Sequence, residues 1–516
     1  MSKKTSSITR RQLIHAATAS AVYLALPTIT GCTSVPSYKP IAPVDGKALE
    51  LINCNIIDVA EGIVNRGKTV TIRCGVIEAI SDKIPSPSEG SLIVDLKNQY
   101  IIPGLIDAHC HATLSCEAAF NPLGVMTTMH QIERNYVQQL THGVTTIRDM
   151  GALPKMLHNN LRLIAKDELT GPRVVYCNAF TNIKGSHPDI DPSDVSIFSG
   201  ITMTFTGNPN LWFTDIPDLE DKMKRNVADG AHFIKLTMDN TSVMCGKGDI
   251  PIYADEHLKV ICEFAQNNNL PMAGHIHTKF GFDRALQFGI NSMEHAIADA
   301  ALTDKEVMEM AKKNIAIVPT LIIAQMYASE EAYDKLPNEF RNDFIGNELS
   351  IRRRYLDSPL DDYIEPSIHK KNVAMLKNYK KYGCDNLYKN GIFLTKADIF
   401  FKILLKGPKN LLKMKDAGVI IGCGTDSGVP LLYHGSLWRE MEMLHRIGFS
   451  NTEVLRCATI NNAKILRMAD KIGSIDNGKC ADIVVLKENP LEKLEACREP
   501  QMVIKDGRIY DVMKKV

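Results

Sequence analysis

The chain has 516 residues, 45% hydrophobic and 23% charged, with 60 Lys and Arg set against 59 Asp and Glu. That balance supports a large buried core and excludes disorder, collagen and coiled coil, while the length suggests about three domains of roughly 150 residues or one large α/β barrel with additions. A net charge of +1 leaves no basic excess to neutralise phosphates, so nucleic acid is not an expected partner.

The first segment reads as an export signal rather than as part of the fold. Lys3, Lys4, Arg10 and Arg11 precede an apolar run from Leu13 to Ile29, the charged-then-hydrophobic order of a secretory leader. TRRQL (9–13) resembles the twin-arginine export motif, and ITGC (29–32) resembles a bacterial lipobox, with Cys32 as the lipidated residue. Residues 1–31 are therefore read as a signal peptide and 32–45 as a tether. The protein is expected to be an exported, membrane-anchored lipoprotein facing the periplasm or cell exterior, touching the membrane only through a lipid on Cys32. After residue 30 no apolar run of about 20 residues follows, so the body is not expected to span a bilayer. Thirteen scattered cysteines, none in a CxxC pair, read as free thiols; Cys54, Cys74, Cys110, Cys177 and Cys423 lie in apolar runs and are expected to be buried.

Residues 46–103 contain short strand-like runs: LELINCNIIDV, VTIRCGVIEAI and LIVDLKNQYII. Residues 471–516 match them in style with ADIVVL and MVIKDGRIYDV. Both ends are thus expected to build one small β-sandwich domain.

Residues 104–470 read differently. Eight apolar strand-like runs recur with helical stretches between them: GLIDAHCH, GVTTIRDM, PRVVYCNAF, HFIKLTM, PMAGHIH, INSMEHA, IAIVPTL and VIIGCGTDSG. Strand–helix alternation implies parallel strands buried on both faces, and eight such units close into a (β/α)8 TIM-type barrel. The expected class is therefore α/β. About 95 residues separate the last two runs, far more than a βα loop needs. They are read as a helical insertion over about 325–400 followed by the final barrel helix. The basic clusters Arg352 to Arg354 and Lys377 to Lys381 are read as solvated faces.

The chemistry-bearing residues sit at the ends of those runs. His109 and His111 are i and i+2 on one strand, so both imidazoles point the same way. Lys235 lies in HFIKLTM, His275 and His277 in GHIHT, His295 ends SMEH and Asp426 ends GCGTD. Taken singly, each has an ordinary reading: a hydrogen-bonded strand-end histidine, a snorkelling lysine, a turn aspartate. Together, at the strand ends where a barrel of this type carries its active site, imidazoles and a carboxylate suit zinc or a similar divalent metal.

These motifs resemble the amidohydrolase superfamily, in particular its imidazolonepropionase-like and Xaa-Pro dipeptidase (prolidase)-like branch. The resemblance rests on IIPGLIDAHCH (101–111), THGVTTIRDMG (141–151), HFIKLTM, AGHIHT, SMEHA, GCGTDSG and the closing ATINNAKILRMADKIGSIDNGKCADIVVLKENPL (458–491). It implies two divalent metals, Zn²⁺ for preference: one held by His109, His111 and Asp426, the other by His275 and His295, bridged by a carbamate on Lys235. It also places His187 and His277 near a small-molecule substrate, with Tyr433, His434 and Arg148 as further candidates to meet it; Arg148 also reads as half of an ion pair inside the barrel. The implied activity is hydrolysis of an amide C–N bond, of a dipeptide or N-acyl amino acid, by a metal-bridging hydroxide with Asp426 relaying the proton. Three alternatives stay open: a mononuclear imidazolonepropionase- or deaminase-like ring hydrolase, a lactone or phosphotriester hydrolase, and a binding lipoprotein without activity. Mononuclear relatives dispense with the bridging lysine and carry Glu three residues after the fifth-strand His, where this chain has Thr278; both features favour the dinuclear form.

Overall fold

A computed structural model of the chain describes residues 38–84, 86, 89–116, 125–151, 153–188, 207–242, 247–328, 330–334, 343–357, 364–374, 376 and 397–512. The signal segment, Cys32 and the Lys377 to Lys381 cluster lie outside the described residues. Among the described residues no helix is long and apolar enough to cross a membrane.

Five strands open the chain: β1 (Ala48–Asp58), β2 (Ile63–Arg73), β3 (Val76–Ser81), β4 (Leu92–Asp95) and β5 (Tyr100–Pro103). Next come β6 (Leu105–Cys110), β7 (Val144–Asp149) and β8 (Arg173–Tyr176), then β9 (Phe180–Asn182) and β10 (Asn210–Trp212). β11 (Ile234–Thr237) precedes a short hairpin of β12 (Thr241–Ser242) and β13 (Lys247–Gly248). β14 (Met272–His275), β15 (Ser292–Glu294) and β16 (Ala316–Val318) follow, and β17 (Ile483–Leu486), β18 (Met502–Lys505) and β19 (Arg508–Tyr510) close the chain.

Strands from both chain ends share one eight-stranded sheet, in the order β19-β18-β17-β5-β1-β2-β3 with β4 beside β1. Residues two apart in each strand point to one face, and Leu49 and Leu51, Val70 and Ile72, Ile483 and Val485 accordingly meet in a core of their own. The alternate positions Val484, Leu486 and Val503 join the large core of the rest of the molecule. The described pairings run through β1, which meets β2, β4 and β5.

Apart from the β12–β13 hairpin, the described strands in the middle of the chain pair in parallel, with β6-β7-β8 in one sheet and β11-β14-β15-β16 in another. Every residue of β6, β7, β11, β14, β15 and β16 is buried, as parallel strands covered on both faces require. Backbone bonds continue past the sheet limits. The His232 amide donates to the Tyr176 carbonyl (2.8 Å), Gly422 to Ile317 (2.8 Å) and Ala108 to Cys423 (3.0 Å). The eighth expected run, GCGTD, thus lies between β16 and β6 but is held by isolated bridges instead of a regular ladder. Its glycines allow the approach. A Cβ on Gly424 would stand 2.8 Å from the His109 backbone nitrogen and 2.6 Å from Val318 Cγ1. Gly424→Ala is therefore expected to cost roughly 1–3 kcal/mol, read as a lower urea midpoint.

The helices between strands start where the sequence supplies caps. Asp215 accepts from the Asp218 amide ahead of the helix Ile216–Ala228, and Thr303 with Glu306 forms a capping box at Asp304–Lys312. In the expected insertion, helices run over Leu321–Tyr327, Glu330–Asp334 and Asp343–Asp357, and the long helix Ala397–Asp416 follows. Two surface expectations fail here. Arg352 is buried, paired with Glu330 and donating to the Ala328 carbonyl (2.6 Å), while Arg353 and Arg354 are exposed. Cys74 is exposed because it sits in the β2–β3 turn; Cys54, Cys110, Cys177 and Cys423 are buried, and all ten described cysteines are free thiols.

Candidate metal centre

The period-2 rule of a strand puts Ala273, His275 and His277 on one side of β14 and its continuation, with Met272 and Ile276 packed into the opposite core. The same rule puts Phe233 and Lys235 on one side of β11, with Ile234 and Leu236 behind. One small core gathers Ile106, Ala108, Val175, Phe233, Ala273, Ala316 and Val318, from four of the parallel strands and the residue just ahead of β11. The polar residues lie beyond it, toward the strand C-termini.

There His109 and His111 converge on one carboxylate oxygen: their Nε2 atoms stand 3.3 and 3.2 Å from Asp426 Oδ1. A second set forms alongside. His275 Nδ1 and His295 Nε2 are 2.9 Å apart, and the His277 ring lies 4.8 Å from that of His275 and 4.5 Å from that of His295. Donor atoms of His275, His277 and His295 lie within 4.8 Å of one another, as do those of His109, His295 and Asp426. The structure thus joins His277 to the second set and lets the His295 ring, 4.7 Å from that of His109, connect the two. His187 stacks on His275 at 4.1 Å and its Nδ1 meets Ser242 Oγ at 3.0 Å.

Lys235 is buried, and its Nζ has no hydrogen-bond partner among the described residues. Burial brings its ammonium down to about 8, with nearby Glu294 and Asp426 opposing the shift. Its charge acts on His187, His275, His277 and His295. Burial and the neighbouring cations hold His275 and His295 well below the ordinary histidine range, and His277 at about 4. These imidazoles are neutral at pH 7, the form that ligates metal. Burial would raise Asp426, but the bonds from His109 and His111 outweigh it and hold the carboxyl well below the usual range. Orphaned donors at Lys235 Nζ, His275 Nε2 and both His277 nitrogens, beside one carboxylate, fit a divalent-metal site.

Several buried residues that sequence reasoning missed hold this set in place. Glu294 accepts from His109 Nδ1 (2.8 Å) and from Arg148 Nη2 (2.7 Å). Burial raises a carboxyl, yet Arg148 and His109 hold Glu294 down at about 2. Arg148 also donates to the Ala108 carbonyl (2.6 Å) and Ser292 Oγ (3.0 Å), so it belongs to the frame and not to a substrate contact. Thr320 Oγ1 meets His295 Nδ1 at 2.7 Å. Asp107 anchors Thr425, the neighbour of Asp426, and Asp239 accepts from the His277 amide at 2.6 Å. His295, Thr320 and Asp426 all have positive φ, so three side chains are aimed by backbone that L-residues seldom adopt. A signal for them lies in the sequence: Asp107 and Glu294 are carboxylates inside apolar strand runs and Asp239 directly follows one, and a buried carboxylate needs partners.

Tyr433 and His434 follow Asp426 in the chain, and His434 lies against His111. The Tyr433 hydroxyl bonds His369 Nδ1 (2.8 Å), tying the insertion to the loop after Asp426. His434 Nδ1 meets Gln139 (3.1 Å) and Ser427 Oγ (3.2 Å).

Residues 100–510 match the sequence profile described as Amidohydrolase family. Ochratoxinase of Aspergillus niger is 23% identical over 494 residues, covering 91% of this chain and 88% of its own. Among solved structures, a Xaa-Pro dipeptidase with bound methionine superposes with a TM-score of 0.67 at 22% identity, covering 90% of this chain and 100% of that one. Molinate hydrolase superposes with a TM-score of 0.65 at 18% identity, covering 91% and 96%.

Proposed function

This chain belongs to the amidohydrolase family and is a hydrolase of carbon–nitrogen bonds, and from that premise we propose that it is a dinuclear metal-dependent amidase acting on a dipeptide or N-acyl amino acid. The ring of hydrogen bonds from β6 through β8, β11 and β16 back to β6, around one inward core, supports a closed (β/α)8 barrel. The sheet from both chain ends supports a small β domain beside it. The export signal and the lipid anchor on Cys32 are part of the same proposal.

The observation that carries the dinuclear reading is Lys235: a buried amine with no partner among the described residues, set among four histidines and Asp426. A bare ammonium would repel two cations, whereas the carbamate formed when its neutral amine takes up carbon dioxide and loses a proton would share one negative charge over two oxygens. His109, His111 and Asp426 would hold one ion, His275 and His295 the other. When bound, the metals acidify a water and polarise the scissile carbonyl. Asp426 accepts the water's proton as the C–O bond forms and returns it to the amine nitrogen as the C–N bond breaks. His109 stays fixed by Glu294 and His295 by Thr320, so neither ring turns during the cycle. His187 and His277, whose rings lie 4.1 and 4.8 Å from that of His275, would meet the acyl portion in this reading.

Metal content by elemental analysis tests this reading. About two divalent ions per chain are expected, falling toward one in Lys235→Ala, with hydrolysis of Xaa-Pro dipeptides or N-acyl amino acids lost in parallel. One ion per chain, indifferent to Lys235→Ala, would replace the proposal with mononuclear ring hydrolysis. Metal-free wild-type protein would end it.

A further inference from the structure

A cleft of about 440 Å³ lies outside the metal centre, between the insertion helix Asp343–Asp357, the helix Leu437–Arg446 and the turn Leu494–Arg498. None of its lining residues belongs to the histidine set. Its walls are largely apolar, with Ile351, Tyr355, Trp438 and Leu494 contributing.

The floor is different. Arg439 is only 4% exposed, yet among the described residues no carboxylate pairs with it. Its Nη2 donates to Gln325 Oε1 (2.7 Å), its guanidinium lies 3.8 Å over the Tyr355 ring, and its Nη1 has no partner. A buried cation with an unmet donor is costly, and a wall of a cleft is where an external anion can offset that cost. The other cations divide. Arg446 is held by Glu348 (2.5 Å) and Arg498 by Glu442, so both are neutralised within the protein. Arg354 is at the exposed rim, and no carboxylate among the described residues pairs with it. Glu442 is taken up by Arg446 and Arg498, and the exposed Glu495 also lines the cleft, which leaves one buried and one rim guanidinium against one exposed carboxylate beside the aromatic and aliphatic wall.

We propose that this cleft is a second binding site, for a small organic carboxylate with an apolar or aromatic body. Arg439 Nη1 would donate to the carboxylate, Arg354 would close over it from the rim, and the body would lie against Trp438 and Leu494. The planar guanidinium and its stacking on Tyr355 favour a planar carboxylate, which accepts in the plane of the donor. The site stands independently of the dinuclear reading, because it shares no residue with the metal centre.

Trp438 is one of two tryptophans in the chain, so Trp212→Phe makes its fluorescence a reporter of the cleft alone. Titration of full-length Trp212→Phe protein with 2-naphthoate should give a saturable change, unaltered by Asp426→Asn. Arg439→Gln should weaken it at least tenfold. Arg354→Glu, at an exposed position that does not threaten the fold, should weaken it severalfold. Absence of saturable binding, equal affinity for inorganic phosphate, or binding that survives both arginine substitutions would overturn the assignment. So would loss of binding in Asp426→Asn, which would place the ligand at the metal centre.

Discussion

Asp426→Asn should lower kcat/KM for amide hydrolysis by about 10²–10⁴-fold, the range in which a positioned proton acceptor contributes. The physical basis is the convergence of two imidazoles on one oxygen. His109 and His111 Nε2 atoms at 3.3 and 3.2 Å keep the carboxyl anionic although it is buried, the form in which it can accept a proton or ligate a metal. Asparagine fills the same volume and preserves the left-handed turn at φ 55°, which it tolerates well, but it cannot accept the proton. Activity, metal content and near-ultraviolet circular dichroism should be measured on one preparation. Near-normal turnover with full metal loading would remove Asp426 from the chemistry. Low turnover with lost metal would assign it to ligation alone.

The second large effect concerns a residue that touches no substrate. Glu294 sits at the end of β15 with 0% exposure, between Arg148 at 2.7 Å and His109 at 2.8 Å. Glu294→Ala leaves the Arg148 guanidinium buried without its anion, and breaking such a pair costs about 3–5 kcal/mol. A drop in urea midpoint reads this cost. Glu294→Gln keeps the shape and is expected to fold, yet it no longer holds His109 with a charge. Metal affinity in that variant should fall about 10–100-fold, as when the hydrogen-bond partner of a ligating histidine is removed. Unchanged affinity in Glu294→Gln would show that His109 is oriented by packing rather than by this carboxylate.

These two cases show what could be read without coordinates. Asp426 was visible because GCGTD ends an apolar run, and its chain position matches the other strand ends. Glu294 sits directly before His295 in SMEH, but nothing local says that it turns to His109, 185 residues earlier. Tyr433 makes the same point. A tyrosine in the loop after Asp426 looks like a substrate contact, and nothing local says that its hydroxyl meets His369 from the insertion. Arg352, in a run of three arginines, looked solvated until the fold brought Glu330 and the Ala328 carbonyl around it.

The amino-acid sequence by itself determined the parallel strand class and the chain order of the polar strand-end residues, together with which of them share a strand face. Those properties follow from backbone geometry: a period of 2 along a strand, and helical connections that return each strand in the same direction. Tertiary structure alone decided which carboxylate orients which imidazole and that His277 joins His275 and His295. It also decided that Lys235 Nζ is left without a partner and that Arg439 faces a cleft. Each of these depends on side chains brought together from distant segments, where packing and the cost of unpaired buried charge choose the partner.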